Sequence, residues 1–174
     1  MVNINWGYFQ VVEYFILNTD NFLEFGEILP DLKESNFFSD SMAYYENSIQ
    51  QLNSLSGSKY SYGKAYLENL KIEDFQELPF NQFICSLTDV IKAQERESLD
   101  HSYLQTEIMP IESEIISFLK RIISTNGTFY KMDVKDNNQD RIGGAGTGIW
   151  DIFNAYIGID KPRKRIYRIE LGRD

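Results

Sequence analysis

The sequence has little of the chemistry that most catalytic and metal sites use. It contains one cysteine, Cys85, and one histidine, His101, among 174 residues. A single cysteine excludes an internal disulfide, and its place in the apolar run FICSL predicts a small buried side chain in a reduced protein. His101 stands between Asp100 and Ser102, but a catalytic triad is assembled in space from distant positions, and zinc needs about four ligands. We therefore expect no catalytic residue, no metal and no cofactor.

Long apolar runs and a basic N-terminal segment are also missing. No run approaches the roughly 20 apolar residues that a membrane helix needs. The first residues, MVNINWGYFQ, lack the basic region and the cleavage site of a signal peptide. The 43% of hydrophobic residues nevertheless provide enough apolar material for a core. The sequence predicts a cytoplasmic protein of one domain, residues 1–174, with no membrane partner.

Basic residues are scarce in the first third of the chain. Residues 1–58 contain eight acidic residues and one basic residue, Lys33, which gives a net charge of −7, and the whole chain carries −9. Residues 161–174 reverse the sign, with six basic residues against two acidic ones and a net charge of +4. An acidic body repels nucleic acid and anionic membranes and attracts basic partners, although acidity also serves solubility.

Apolar residues recur at helical spacing through most of residues 1–126. The predicted helices cover residues 5–17, a short segment that stops before Pro30, residues from 39 or 40 to about 55, residues 59–70, and segments that begin near Pro79 and Pro110. The last two are the strongest, because proline suits a first helical turn and an apolar stripe follows each one. Their stripes consist of Phe80, Phe83, Ile84, Leu87, Val90 and Ile91, and of Ile111, Ile115, Phe118, Leu119 and Ile122.

Past Gly127 the pattern changes from helical to alternating. The segments TFYKMDV and RIYRIEL place apolar residues on one face, which predicts two strands that pair with each other. The apolar piece IWDIFNAYIGI between them is ambiguous. The sequence therefore predicts an α+β protein: a helix-dominated bundle of about five to six helices, residues 1–126, with a small C-terminal β-sheet or hairpin, residues 127–174.

One segment, DNNQDRIGGAGTGIW at residues 136–150, resembles two ligand-binding motifs and matches neither. As a calcium loop beginning at Asp136, it has Arg141 where a glycine must turn the chain and Thr147 where a bidentate glutamate is needed. As a phosphate loop, it lacks the lysine that follows the second glycine, and no βαβ pattern surrounds it. We interpret it as a polar loop whose glycines allow the backbone to approach Trp150 closely.

Two further functions stay open on specific residues. Asp133 and Lys135 match the end of a (D/E)xK nuclease signature, which allows a metal-dependent phosphodiesterase. The basic C-terminal segment PRKRIYR could instead dock an adaptor subunit onto another protein. A nuclease needs basic surface for phosphate contacts, and this segment is the one place that offers it.

In size, charge and composition the chain is similar to bacterial immunity proteins, which neutralise a cognate toxin nuclease by covering its basic active site. The resemblance implies an inhibitor that binds a basic protein, does not bind nucleic acid and needs no catalytic residue. Such binding gains speed from electrostatic steering. The predicted contact residues are acidic side chains with two aromatic anchors: Glu24, Glu27, Asp31, Glu34, Asp40, Glu46, Tyr44 and Tyr45.

Overall fold

The structure is a computed structural model, and it describes residues 2–4, 7–15, 24–41, 43–49, 57–63, 65–99, 108–133 and 152–173. The strands in these ranges are β1 (Val2–Ile4), β2 (Gly7–Phe15), β3 (Tyr44–Ile49), β4 (Gly57–Tyr62), β5 (Ala65–Tyr66), β6 (Phe75–Pro79), β7 (Thr128–Met132), β8 (Ile152–Asp160) and β9 (Arg165–Arg173). The helices are α1 (Phe25–Glu34), α2 (Asn36–Ser39), α3 (Phe80–Leu99) and α4 (Ile108–Ile122), with 3-10 turns at Leu67–Asn69 and Ile72–Asp74.

A six-stranded antiparallel sheet is the centre of the molecule. Its strand order is β1-β2-β9-β8-β7-β6, and a second sheet has the order β3-β4-β5. The prediction of a helix-dominated bundle with a small C-terminal sheet is therefore wrong. Six of the nine described strands precede residue 127, so sheet formation is not confined to the C-terminal part.

The large sheet is covered on both faces. Side chains of β9 alternate, so that Tyr167, Ile169 and Leu171 pack with α3 and α4 in one hydrophobic cluster. Ile166 of the same strand packs in the other cluster, which contains α1, α2 and residues of the second sheet. Three layers result, with the large sheet in the middle.

The N-terminal segment forms strands where helical spacing predicted a helix. Its valines and aromatic residues suit a half-buried strand as well as a helix face, so spacing alone does not decide. Long-range pairing decides, because β2 pairs with β9 from Tyr8↔Gly172 to Phe15↔Arg165. Phe9 is buried with the α3 and α4 side chains, and Tyr14 packs on the opposite face.

The helices predicted over residues 39–55 and 59–70 are also wrong. Residues Tyr44–Ile49 pair antiparallel with Gly57–Tyr62 as β3 and β4, and β5 extends this sheet. Gly63 turns the chain with a φ of 57°, and a side chain there would collide with the Phe153 ring, 2.3 Å from an ideal Cβ. Gly63 would weaken the helix predicted over residues 59–70, and the turn between β4 and β5 requires it instead.

The two helices with the strongest patterns are present. In α3 the side chains of Phe83, Leu87 and Ile91 are fully buried, as the spacing predicts. In α4 Ile115 and Leu119 are buried, whereas Phe118 is 38% exposed. The short helix expected to stop before Pro30 continues through it as α1.

The C-terminal strands exist, but they do not pair with each other. The ambiguous apolar piece supplies β8, which lies between β7 and β9 and pairs with both. The unpredicted strand β6 pairs with β7 and forms the end of the sheet. Two alternating segments in sequence do not reveal that a third strand separates them.

Candidate functional site

Helix α1 presents a stripe of carboxylates to solvent. Glu24 precedes the helix as its N-cap, and Glu27, Asp31 and Glu34 follow at spacings of three, four and three residues, all exposed. With 3.6 residues per turn, these spacings confine the four side chains to an arc of roughly 80°. The opposite side of α1 is buried in the core through Phe25, Ile28 and Leu29. We call these four acidic residues the α1 stripe.

The basic residue of α1 points away from this stripe. The Lys33 Nζ donates hydrogen bonds to the backbone carbonyl oxygens of Glu68, at 2.7 Å, and Leu70, at 3.1 Å. Burial lowers the pKa of Lys33, and the charge of Glu68 opposes that change. Because Lys33 satisfies carbonyl groups of the neighbouring 3-10 turn, it does not neutralise the α1 stripe.

Two further carboxylates continue the acidic surface from α1 to the edge of the large sheet. The turn at Ile72–Asp74 lies against α1, since a Cβ at Gly26 would stand 3.8 Å from Ile72 Cγ1. Exposed Glu73 belongs to this turn, and exposed Glu77 follows on β6. Glu77 pairs with Tyr130 of β7, and the Tyr130 ring stacks on Phe25, the residue after Glu24, with centroids 4.3 Å apart. Burial raises the pKa of Tyr130 to about 12, and the charges of Glu77 and Glu24 add to this increase. The acidic surface is defined here as the α1 stripe with Glu73 and Glu77.

The other predicted contact residues have separate positions. Asp40 is exposed at the end of α2, directly after α1 in the chain. Tyr44 is half-buried and stacks on Tyr60, with ring centroids 5.3 Å apart and planes 9° from parallel. Tyr45 and Glu46 belong to β3, and their side chains lie outside the described part of the structure.

Sequence analysis missed Tyr60, Glu73 and Glu77. Tyr60 is 45% exposed and completes the aromatic pair with Tyr44. Glu73 and Glu77 join the surface through folding, because they are distant from α1 in sequence. Residues 68–77 carry four acidic residues against one basic residue, Lys71, but this local charge does not show that the segment lies beside α1.

The basic C-terminal segment pairs with acidic residues of the same chain. Lys161 Nζ lies 2.7 Å from Glu24 Oε1, and Arg165 contacts the carboxylate of Glu13. Arg163 lies 3.7 Å from the Asp160 carboxylate. The charges of this segment are thereby partly balanced within the molecule, which weakens its case as a surface for phosphate or for an acidic docking partner. Lys161 in turn offsets part of the negative charge that Glu24 gives to the α1 stripe.

An ion pair is buried between the large sheet and the layer of α1 and α2. Arg168 Nε lies 3.0 Å from Glu170 Oε1, and both side chains are almost completely inaccessible. The Tyr62 hydroxyl donates a 2.6 Å hydrogen bond to the same carboxylate oxygen, and Arg168 Nη1 donates to the Tyr14 hydroxyl at 2.9 Å. Burial raises the pKa of Glu170, while Arg168, Tyr62 and Ser41 oppose the increase. This cluster belongs to the interior and cannot touch a macromolecular partner.

A groove lies between α3 and the end of the large sheet. It encloses about 600 Å³ and is lined by ten residues: Gln76, Leu78, Asn81, Gln82, Cys85, Ser86, Asp89, Val90, Ala93 and Lys131. Cys85 is exposed in this groove, so the prediction of a buried thiol is wrong. Ser86 Oγ lies 3.0 Å from the Tyr156 hydroxyl, and burial raises the pKa of Tyr156 to about 12. That hydroxyl consequently stays protonated at neutral pH.

The structure gives little evidence on the remaining candidate motifs. Asp133 is exposed after β7 and donates its backbone N–H to the carbonyl of Asp74 at 2.7 Å. Lys135, His101 and the loop at 136–150 lie outside the described residues. Within the described ranges, no three His, Cys, Asp or Glu side chains form a possible metal site. The helices of those ranges include none that is long and apolar enough to cross a membrane.

Comparison with known proteins assigns no family to this fold. No protein-family model, no curated protein and no solved structure matches the chain.

Proposed function

We propose that the chain is a cytoplasmic, non-enzymatic binding protein that captures a basic protein partner through its acidic surface. The observation that carries this proposal is the arrangement of charge on α1. Its solvent-facing stripe is made of carboxylates, while its one basic residue, Lys33, is turned inward to backbone carbonyls.

Part of the stripe is unfavourable for the helix itself, which argues against solubility as its whole purpose. Glu24 and Glu27 form a capping box that stabilises the start of the helix. Asp31 lies four residues after Glu27 and three before Glu34, and like charges at such spacings destabilise an isolated helix by about 0.2–0.5 kcal/mol per pair. Glu34 also lies in the last turn, at the negative end of the helix dipole. Solubility needs net charge but no particular arrangement, whereas a one-sided field accelerates the encounter with a basic partner.

The other two functions have less support. Phosphate binding needs free basic surface, and Lys161, Arg163 and Arg165 pair with carboxylates instead. An adaptor that docks through this segment also needs these basic side chains, which are paired within the molecule. The expectation that the partner is a toxin nuclease stays a prediction.

Affinity capture from the host with matched charge variants tests the proposal. The bait variants are wild type, Asp31→Lys, and Glu114→Lys at an exposed position of α4, where the charge change is equal but lies on the other side of the large sheet. We expect a protein with a basic surface that wild type and the α4 variant retain and the α1 variant loses. Retention of every partner by the α1 variant, or loss of the partner from both variants, would contradict the proposal.

A further inference from the structure

We propose that the outer edge of β6, the side that does not pair with β7 in the described part of the chain, binds an extended, basic segment of the partner as an added antiparallel strand. This inference rests on the proposed function and names the form in which the basic partner is recognised. Strand addition to an exposed sheet edge is a common mode of peptide recognition, in which backbone hydrogen bonds give affinity and alternate side chains give specificity.

The hydrogen-bonding groups of β6 can be assigned from one observed bond. Asp133 donates its N–H to the Asp74 carbonyl, so this pair is hydrogen-bonded to β7. Because pairs alternate along an antiparallel ladder, Gln76 and Leu78 also face β7, while Phe75, Glu77 and Pro79 face the edge. Proline at an outward position is consistent with this assignment, since it has no N–H to offer the ladder.

The edge therefore offers one donor and two acceptors. The N–H of Phe75 is already used by the Ile72 carbonyl, and Pro79 has none. The Pro79 carbonyl accepts the first hydrogen bond of α3, which begins at Phe80. What faces outward is the N–H of Glu77 together with the carbonyls of Phe75 and Glu77. In the described part of the chain, β6 pairs with β7 alone. An incoming antiparallel strand centred on Glu77 can thus form three backbone hydrogen bonds.

The side chains beside the edge specify the added strand. Glu77 stands directly opposite Tyr130 in the register of β6 and β7, so the two side chains share one face of the sheet. Tyr130 stacks on Phe25 of α1, with ring centroids 4.3 Å apart, which makes this face the one that carries the α1 stripe. A residue paired with Glu77 places its side chain on that acidic side, where lysine or arginine fits. On the added strand, the residues before and after this one point to the opposite side of the sheet, into the groove lined by Gln76, Asn81 and Ser86. Short polar side chains such as threonine match those amide and hydroxyl groups.

A second copy of this chain is a poorer occupant. The self-pairing register that uses both backbone groups of Glu77 places Glu77 directly opposite Glu77 of the other copy. Like charges at directly opposite positions destabilise a strand pair. A basic strand removes this repulsion, so charge complementarity selects a basic partner over a dimer.

Two short peptides probe the edge. One alternates threonine and lysine over eight residues. The other has the same sequence with every backbone nitrogen methylated, which keeps the charge and removes the N–H groups that a strand needs. Both are blocked at their ends. The readout is the rate at which a thiol reagent modifies Cys85, the one cysteine of the chain, which lies exposed in the groove. Cys85→Ser/Ser117→Cys moves the thiol to an exposed site on α4 and is the control.

Strand addition predicts that the threonine–lysine peptide protects Cys85, while the N-methylated peptide does not and the thiol at position 117 is unaffected. Glu77→Pro should retain the fold, because the lost N–H faces outward. It should bind the threonine–lysine peptide about five-fold more weakly than Glu77→Gln, which loses the charge and keeps the N–H.

Equal binding by Glu77→Pro and Glu77→Gln, equal binding of both peptides, or no protection of Cys85 would overturn strand addition. The proposed function is judged separately, by comparing wild type with Asp31→Lys/Glu34→Lys in binding the N-methylated peptide at low salt. If this variant binds as well as wild type, the acidic surface does not attract basic chains and the proposed function fails. If it binds more weakly while Cys85 stays unprotected, only strand addition is lost.

Discussion

The Tyr62 hydroxyl and the Glu170 carboxylate join the two sheets of the molecule through a 2.6 Å hydrogen bond. Tyr62 belongs to β4 in the small sheet, and Glu170 belongs to β9 near the centre of the large sheet. Both side chains are fully buried. A hydrogen bond to a buried carboxylate is stronger than one between neutral groups, so this contact holds the small sheet in place.

Tyr62→Phe should therefore destabilise the protein by about 1.5–3 kcal/mol, the usual contribution of a hydrogen bond to a charged group. The measurement is the free energy of unfolding from urea denaturation. Tyr60→Phe is the matched control on the same strand, because Tyr60 is exposed and its ring can still stack on Tyr44. That control should change stability by less than about 0.5 kcal/mol. Equal effects of the two variants would show that the Tyr62–Glu170 bond contributes nothing.

Arg168 and Glu170 should behave as a unit. Removing one partner of a buried ion pair leaves an uncompensated charge and costs about 3–5 kcal/mol, whereas replacing both with apolar residues is often neutral. We expect Arg168→Met and Glu170→Met each to be strongly destabilising, and the double variant to be far more stable than the sum of the two losses predicts. Urea denaturation of all four proteins gives the coupling energy. Additive losses would contradict the pairing.

Burial of Glu170 should make stability depend on pH in a particular direction. Its pKa is raised above the ordinary value of 4.5 by burial, so the folded protein binds more protons than the unfolded chain between the two pKa values. The free energy of unfolding must then fall as pH rises from 4.5 through the folded-state pKa. Glu170→Gln cannot titrate and should show a flatter profile in this window. An unchanged slope in the variant would exclude Glu170 as the source.

Local spacing of apolar residues predicted α3 and α4. The apolar stripe of each helix is visible within its own segment, so its prediction does not depend on residues far away in sequence. The segments around Val11 and Tyr45 form strands although their spacing predicted helices. Valine and tyrosine suit both structures, and pairing with distant residues decides which of the two forms. β2, for example, pairs with β9 from the other end of the chain. Helical spacing over a short window does not contain that information.

The part of the candidate site on α1 was predictable, because its acidic residues are close together in sequence. The carboxylates of α1 were recognised from the charge imbalance of the first 58 residues, and the structure places four of them on one stripe. Glu77 and the edge of β6 were not recognised, because an edge is a property of the assembled sheet. The inward orientation of Lys33 depends on carbonyls of Glu68 and Leu70 and was equally hidden from the sequence.

Asp31→Lys should make the protein slightly more stable and a poorer binder. The change removes repulsion with Glu27 and Glu34, and it places a lysine four residues after Glu27, which is the favourable order for a helical ion pair. The expected gain is roughly 0.5 kcal/mol in the free energy of unfolding. Association with the captured partner should slow by about ten-fold at low salt, because steering depends on the field of the acidic surface.

Surface plasmon resonance at two salt concentrations, together with urea denaturation, separates this effect from general damage. The difference in association rate should shrink as salt rises, since the Debye length is about 8 Å at 0.15 M and falls further above it. Glu114→Lys, with the same charge change on exposed α4, should leave the association rate nearly unchanged. If both variants slow association equally, net charge alone attracts the partner and the α1 stripe has no special role. If Asp31→Lys binds more slowly and is more stable, while Glu114→Lys binds at the wild-type rate, α1 is the surface that contacts the partner.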